Sequence, residues 1–138
     1  MICDNITSAN GHLRFAGRDT VELAERYGTP LYLMDEGRIR HNCRVYRENM
    51  DRLFPAALPL YASKALSCKR LYEIVAEEGL GADVVSPGEL YLARSAGFPM
   101  EKVFFHGNAK TDADIAFAMD CGVGYFIIGN PDELQAGG

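Results

Sequence analysis

A parallel α/β architecture is predicted for this 138-residue chain by three observations. Short apolar runs begin near residues 60, 82, 103 and 124, a period of a little over twenty residues. One helical pattern occupies each interval, and strand–helix alternation of this kind produces right-handed βα units. The runs are continuously apolar, as expected for strands covered on both faces. An open doubly wound sheet and a (β/α)8 barrel both satisfy this pattern. A complete barrel takes about 250 residues, so the chain holds about half of one.

In chain order, His12-Leu13-Arg14-Phe15 alternates weakly and is a short strand candidate, with Gly11 and Gly17 as punctuation. Asp19 followed by Glu22 fits a capping box, and Gly28 with Pro30 ends that helix. Leu31-Tyr32-Leu33-Met34 reads as a buried strand. From Glu36 to Phe54 the apolar positions Ile39, Cys43, Tyr46, Met50 and Leu53 fall at intervals of three and four, one helical stripe. Pro55 and Pro59 close it and lead into the strand at Leu60. A helix over 68–78 stops at Gly79, and Gly81–Val85 is the next strand. Ser86-Pro87-Gly88-Glu89 is a helix start with an N-cap serine and proline in the first turn. Gly97 and Pro99 end that helix before the Val103-Phe104-Phe105 strand. Thr111 caps a helix whose first turn carries Asp112 and Asp114, which complement the helix dipole. After Gly122 come the strand Gly124–Ile128 and a further helix start at Pro131-Asp132-Glu133.

The balance of 19 acidic against 14 basic residues, net −5, argues against a nucleic-acid footprint or a polybasic membrane surface. Arg38, Arg40, Arg44, Arg47 and Arg52, set among Glu36, Glu48 and Asp51, read as a solvated helix face. The start carries no basic patch followed by an apolar core, so no signal peptide is expected. The cysteines at 3, 43, 68 and 121 form no metal-ligand pattern and read as reduced thiols of a cytoplasmic protein.

In either architecture ligands gather at the carboxyl ends of the strands. Those ends carry Ser63 and Lys64, then Asp83 to Ser86, then His106, Gly107 and Asn108, then Gly129 and Asn130. Lys64 ends the run Leu60-Tyr61-Ala62-Ser63. An ammonium held against low-dielectric surroundings there has a lowered pKa and can hold a cofactor aldehyde as a Schiff base. The plainer reading is a strand-end lysine that snorkels to water. Asp83 sits inside an apolar strand and needs a cation or strong donors. Lys64, one strand away, is a candidate partner, in a site or in a simple ion pair. Glu89 is explained by its capping box. His106 can stack on a ring, donate a proton or merely be hydrogen-bonded. Asn108 and Lys110 read as loop residues. No Walker, GxGxxG, HExxH or GxSxG motif is present.

Four segments in order carry a resemblance: Tyr27-Gly28-Thr29-Pro30-Leu31-Tyr32, Tyr61-Ala62-Ser63-Lys64-Ala65, Glu78 through Leu90, and Phe105-His106-Gly107-Asn108-Ala109-Lys110. Together they resemble the amino-terminal part of the diaminopimelate decarboxylase family, pyridoxal-phosphate proteins of the alanine-racemase-like, fold-type III class. The resemblance runs from about residue 12 to the end of the chain. It implies the first half of a (β/α)8 TIM-type barrel, beginning at Leu58, preceded by a segment that joins a β-domain. The expected division is 1–40 for that segment and 41–138 for the half-barrel. The resemblance also implies pyridoxal 5'-phosphate as cofactor, with Lys64 as the catalytic lysine that holds it. Lys64, Asp83 and His106 are the candidate cofactor-binding residues, and no metal is expected. An amino-acid substrate, a cytoplasmic homodimer and lysine as product follow from the same likeness.

The family's glycine-rich phosphate loop, the acidic partner of the pyridine nitrogen, the substrate-carboxylate ligands and a cysteine from the partner subunit all come later in its sequence. This chain has none of those positions, so by itself it is expected to be inactive. Pro87 stands where glycine is frequent in the family. Two other readings are a related ornithine or arginine decarboxylase and a non-catalytic half-barrel that binds a homologue.

Overall fold

A computed structural model describes residues 4–136, so Cys3 lies outside the described residues. The chain forms two compact units, Met1–Ile39 and Arg40–Gly138.

In the first unit, β1 (Ile6–Ala9), β2 (His12–Phe15) and β3 (Arg18–Asp19) form an antiparallel sheet in that order. Two-residue turns join them. Asn10 and Gly11 have φ of 55° and 79°, and Ala16 and Gly17 have φ of 48° and 77°. Paired positive φ values suit the right-handed twist of a hairpin. Asn10-Gly11 is the local signal for the β1–β2 hairpin. Helix α1 (Thr20–Tyr27) follows at once, capped by Asp19, whose carboxylate accepts from the Val21 and Glu22 amides. His12 Nδ1 lies 2.9 Å from the same carboxylate. Burial opposes the Asp19 charge, yet the His12 bond and the two helix amides hold its pKa below the ordinary value. The strand expected at Leu31–Met34 does not form. The segment belongs to no sheet among the described residues, and Tyr32 is 96% exposed. Strand character in the sequence cannot make a strand without a neighbour to take its backbone hydrogen bonds.

Helix α2 (Glu36–Leu53) opens on Asp35, whose side chain accepts from the Arg38 amide. Of its apolar stripe only Cys43 is buried, while Tyr46 and Leu53 stand open. Its arginines are not simply a solvated face. Arg40 Nη1 donates to Glu78 at 2.9 Å, Arg44 Nε to Glu78 at 2.7 Å, and Arg47 to the Glu78 carbonyl at 3.1 Å.

The second unit contains a four-stranded parallel sheet in sequential order: β4 (Leu60–Ala62), β5 (Gly81–Val84), β6 (Val103–Phe105) and β7 (Tyr125–Phe126). The connecting helices are α3 (Lys69–Glu77), α4 (Pro87–Ser95) and α5 (Asp112–Asp120), and α6 (Pro131–Ala136) follows β7. In-register Ala82 and Val103, then Val84 and Phe105, are fully buried on one sheet face. The helices supply Tyr72, Val75, Leu90, Ala93 and Ala118 to the same core. Burying each larger apolar side chain contributes roughly 1.5–3 kcal/mol.

The other face, with Ala62, Asp83, Phe104 and Tyr125 in register, is only partly covered. The expectation that both faces are covered is therefore not met in this chain. Sequential strand order with the helices packed on one face fits half of a barrel, not a doubly wound sheet, which covers both faces. Two glycines permit the close approach of neighbouring turns. A Cβ at Gly81 would lie 2.6 Å from the Lys102 carbonyl oxygen, and one at Gly124 would lie 2.1 Å from that of Glu101. No helix of the described residues is long and apolar enough to cross a membrane.

Hydrogen bonds from Arg44 and Arg40 lower the Glu78 pKa from 4.5 to about 2. Because the folded value is depressed, this contribution to stability is complete above the unfolded value and fades as pH falls toward 2. Glu78→Gln should lower the melting temperature at neutral pH and shrink its fall between pH 5 and pH 2, as measured by circular dichroism.

Candidate functional site

Strand β4 runs straight into a single 3-10 turn, Ser63–Ala65, that carries Lys64 at the carboxyl edge of the sheet. Polar side chains fasten the turn from beneath. Fully buried Ser63 donates its hydroxyl to the Asp83 carbonyl on β5 at 3.0 Å. Ser67 Oγ donates back to the Ser63 carbonyl at 3.1 Å and lies 3.3 Å from the buried Tyr72 hydroxyl. Tyr61 donates to the Leu66 carbonyl at 2.8 Å. Burial pushes both phenols above their usual pKa, so they remain neutral hydrogen-bonding groups at physiological pH.

Lys64 itself is exposed, and among the described residues its amine has no hydrogen-bond or ion-pair partner. The apolar enclosure expected for it is not supplied by this chain. The turn leaves the residue exposed at the carboxyl edge of the sheet. Nor does Lys64 pair with Asp83. The carboxylate lies on the open face of β5, and the ionisable side chain beside it is His106, with Nδ1 to Oδ1 at 3.5 Å. That separation places the two groups side by side at a distance longer than a good hydrogen bond. His106 continues the β6 ladder, its amide donating to the Val84 carbonyl at 2.8 Å.

Other strand-end residues are structural. Ser86 caps α4 by accepting from the Glu89 amide at 3.3 Å, and the buried Glu89 carboxylate accepts from the Val85 amide. Asn130 caps α6 by accepting from the Asp132 and Glu133 amides. Thr111 and Asp114 form the reciprocal box that starts α5. Lys110, read from sequence as a loop residue, is buried instead. Its amine reaches the Gly107 and Ile127 carbonyls and, at 3.0 Å, the Glu133 carboxylate. Its partner Glu133 was noted in sequence only as part of a helix start. The Asn130-to-Glu133 spacing is the one signal that it turns inward.

The open face thus holds a carboxylate beside an imidazole and two aromatic rings, Phe104 and Tyr125, stacked at 4.1 Å, and the turn at the carboxyl end of β4 carries a free primary amine. Of the chain's four lysines, Lys64 ends a strand with its amine free, whereas Lys110 has all three donors occupied. A free amine is the nucleophile that carbonyl chemistry requires.

The profile of a family described as "Pyridoxal-dependent decarboxylase, pyridoxal binding domain" matches residues 36–136. A diaminopimelate decarboxylase of Bacillus methanolicus is 46% identical over 125 residues, which cover 91% of this chain and 29% of that protein. The diaminopimelate decarboxylase of M. jannaschii, solved with L-lysine, aligns with a TM-score of 0.85 at 33% identity, over 97% of this chain and 32% of that one. A lysine/ornithine decarboxylase of Vibrio vulnificus, solved with putrescine, gives 0.70 at 31% identity, over 85% of this chain and 31% of that one. The chain spans about 29% of the length of the curated relatives it matches.

The bond from Ser63 to β5 predicts the behaviour of the lysine turn. Ser63→Ala should destabilise the fold by about 1–3 kcal/mol in urea melts, the cost of leaving a buried acceptor unsatisfied. It should also speed tryptic cleavage after Lys64.

Proposed function

The chain belongs to the pyridoxal-dependent decarboxylases, and on that premise we propose that it is the amino-terminal part of a diaminopimelate decarboxylase. The reaction converts meso-2,6-diaminopimelate to L-lysine and carbon dioxide in a cytoplasmic homodimer. The single observation that carries the reading is the free amine of Lys64, held on a fastened turn at the carboxyl end of the sheet. The diaminopimelate decarboxylase relatives at 40–46% identity support this substrate over ornithine or arginine.

The donor set fits the aldehyde end of pyridoxal phosphate. Lys64 Nζ has no competing partner among the described residues, and Phe104 and Tyr125 give the open face an apolar platform. When bound, the cofactor supplies an electron sink that lets the bond between the α-carbon and its carboxylate break. The chain's own part is to hold and position. Lys64 Nζ would hold the cofactor aldehyde, its neutral form being the nucleophile and its ammonium the form left on release. Asp83 and His106 offer an acceptor and a second titratable group on the same sheet face. The Ser63, Ser67 and Tyr61 bonds keep the lysine turn in one conformation, so less ordering is required when the cofactor arrives. The phosphate-holding and substrate-holding groups come, in this reading, from sequence outside these 138 residues and from the partner subunit.

In the enzyme that carries this chain, Lys64→Ala should lower kcat/KM by about a thousandfold or more, the scale expected for loss of a covalent group. Product analysis should give L-lysine from meso-diaminopimelate and no amine from ornithine or arginine. The isolated 138-residue polypeptide should release no carbon dioxide from any of the three. Undiminished turnover in the alanine variant, or turnover by the isolated chain, contradicts the reading.

A further inference from the structure

A buried, fully engaged ion pair in the second unit lies at the edge of the candidate site and is not used by the proposed reaction. Lys110 has a side chain only 2% exposed, and Glu133 has one only 4% exposed. A buried ammonium is tolerated only when its donors are satisfied. Those of Lys110 go to the Gly107 carbonyl, the Ile127 carbonyl at 2.9 Å and Glu133 Oε2 at 3.0 Å, while the Phe105 ring lies 5.8 Å away. Glu133 in turn accepts from the Gly129 amide at 2.9 Å and from Asn130 Nδ2 at 3.2 Å. One ion pair therefore joins the loop after β6, which begins at His106, to the strand end after β7 and to the first turn of α6. Gly107, between His106 and the pair, has φ of 123°, a conformation that strains any other residue. The loop thus leaves the strand by one sharply defined route, and Lys110 closes it onto Gly107 itself.

We propose that Lys110 and Glu133 are a positioning pair that fixes the loop carrying His106 at the carboxyl end of the sheet, and with it the placement of the His106 ring beside Asp83. The proposal rests on the function assigned above only in giving His106 a task. The geometry of the pair stands by itself. The Lys110 amine is fully engaged by the Gly107 and Ile127 carbonyls and by Glu133, which leaves it no donor for a ligand. It acts through His106, and the backbone on which it pulls is the same one that orients the ring.

Removing one partner of a buried pair strands the other charge, so Lys110→Met and Glu133→Gln should each lower the melting temperature. Lys110→Met/Glu133→Gln has neither charge and should regain most of that loss. A purely structural pair would restore everything else with it. A positioning pair would not. In the double variant the Gly107–Lys110 amides should exchange hydrogen about tenfold faster, the His106 ring resonances should move from their native positions, and kcat should fall about tenfold with KM changed less than twofold. Native His106 resonances and kcat in the double variant would overturn the proposal.

A measurement on the unaltered holoenzyme needs no variant to fold. After the cofactor is removed as its oxime with hydroxylamine, which leaves the Lys64 amine free, Lys110 should resist acylation while Lys64 reacts. Equal reactivity of the two would also overturn the proposal. Binding of pyridoxal phosphate to the unaltered enzyme is followed in the same samples by its absorbance. Its absence would count against the proposed function, whereas the acylation and exchange results bear on the pair alone.

Discussion

The parallel hydrogen-bond register of β4 to β7 is the constraint on which the rest depends. Ala62, Asp83, Phe104 and Tyr125 share one row, and the residues on either side of each fall on the opposite face. Since all four strands run the same way, whatever follows each strand emerges at one edge. A one-residue slip would exchange the faces. It would carry Asp83 into the apolar layer of Val84, Val103 and Phe105, where an unpaired carboxylate is costly. The buried outer face thus sets the register, the register puts Asp83 and His106 on the open face, and the common strand direction brings the Lys64 turn to the same edge of the sheet. Gly81 and Gly124 hold the other end of the ladder in place, because any side chain there would collide with the backbone of the adjoining turn.

The contrast between two lysines shows how the fold allots chemistry. Lys64 and Lys110 each follow an apolar strand closely, and each stands in a loop at the carboxyl edge. The difference lies in the supply of acceptors. Around Lys110 two carbonyls and a carboxylate converge, so its amine is consumed in holding loops together. Around Lys64 the acceptors are already taken: the Ser63 carbonyl receives Ser67 and the Leu66 amide, and the Leu66 carbonyl receives Tyr61. The loop is satisfied without its lysine, and the amine is left available. Rigid backbone with a free functional group is the economical arrangement for a residue that must form and break a covalent bond.

Much of this was legible in the sequence because it is local. The caps at Asp19, Ser86 and Thr111, the helix of residues 36–53 and the spacing of the parallel strands each depend on a few neighbouring residues. So do the strand-end positions of Lys64, Asp83 and His106. The errors fall where pairing is remote or absent. Leu31–Met34 has strand composition, but no strand beside it among the described residues. Arg40 and Arg44 find their carboxylate at Glu78, more than thirty positions away, which no helix-face pattern can reveal. The Lys110 to Glu133 pair is hidden for the same reason. The partner of Asp83 proved to be His106 because the register sets them on one face of adjacent strands, while the turn after Ala62 carries Lys64 away. The first hairpin is a different case, since Asn10-Gly11 announced it locally and its positive φ values state why.

The account's central claim is that the fold leaves the Lys64 amine, at the carboxyl end of β4, free to take an aldehyde. The most direct test is reduction of the cofactor-loaded enzyme with borohydride, followed by mass spectrometry of the peptides containing Lys64, Lys69, Lys102 and Lys110. The account predicts a phosphopyridoxyl group on Lys64 alone. Its appearance on Lys110, or a spread over the exposed lysines with Lys64 no more labelled than Lys69, would contradict it.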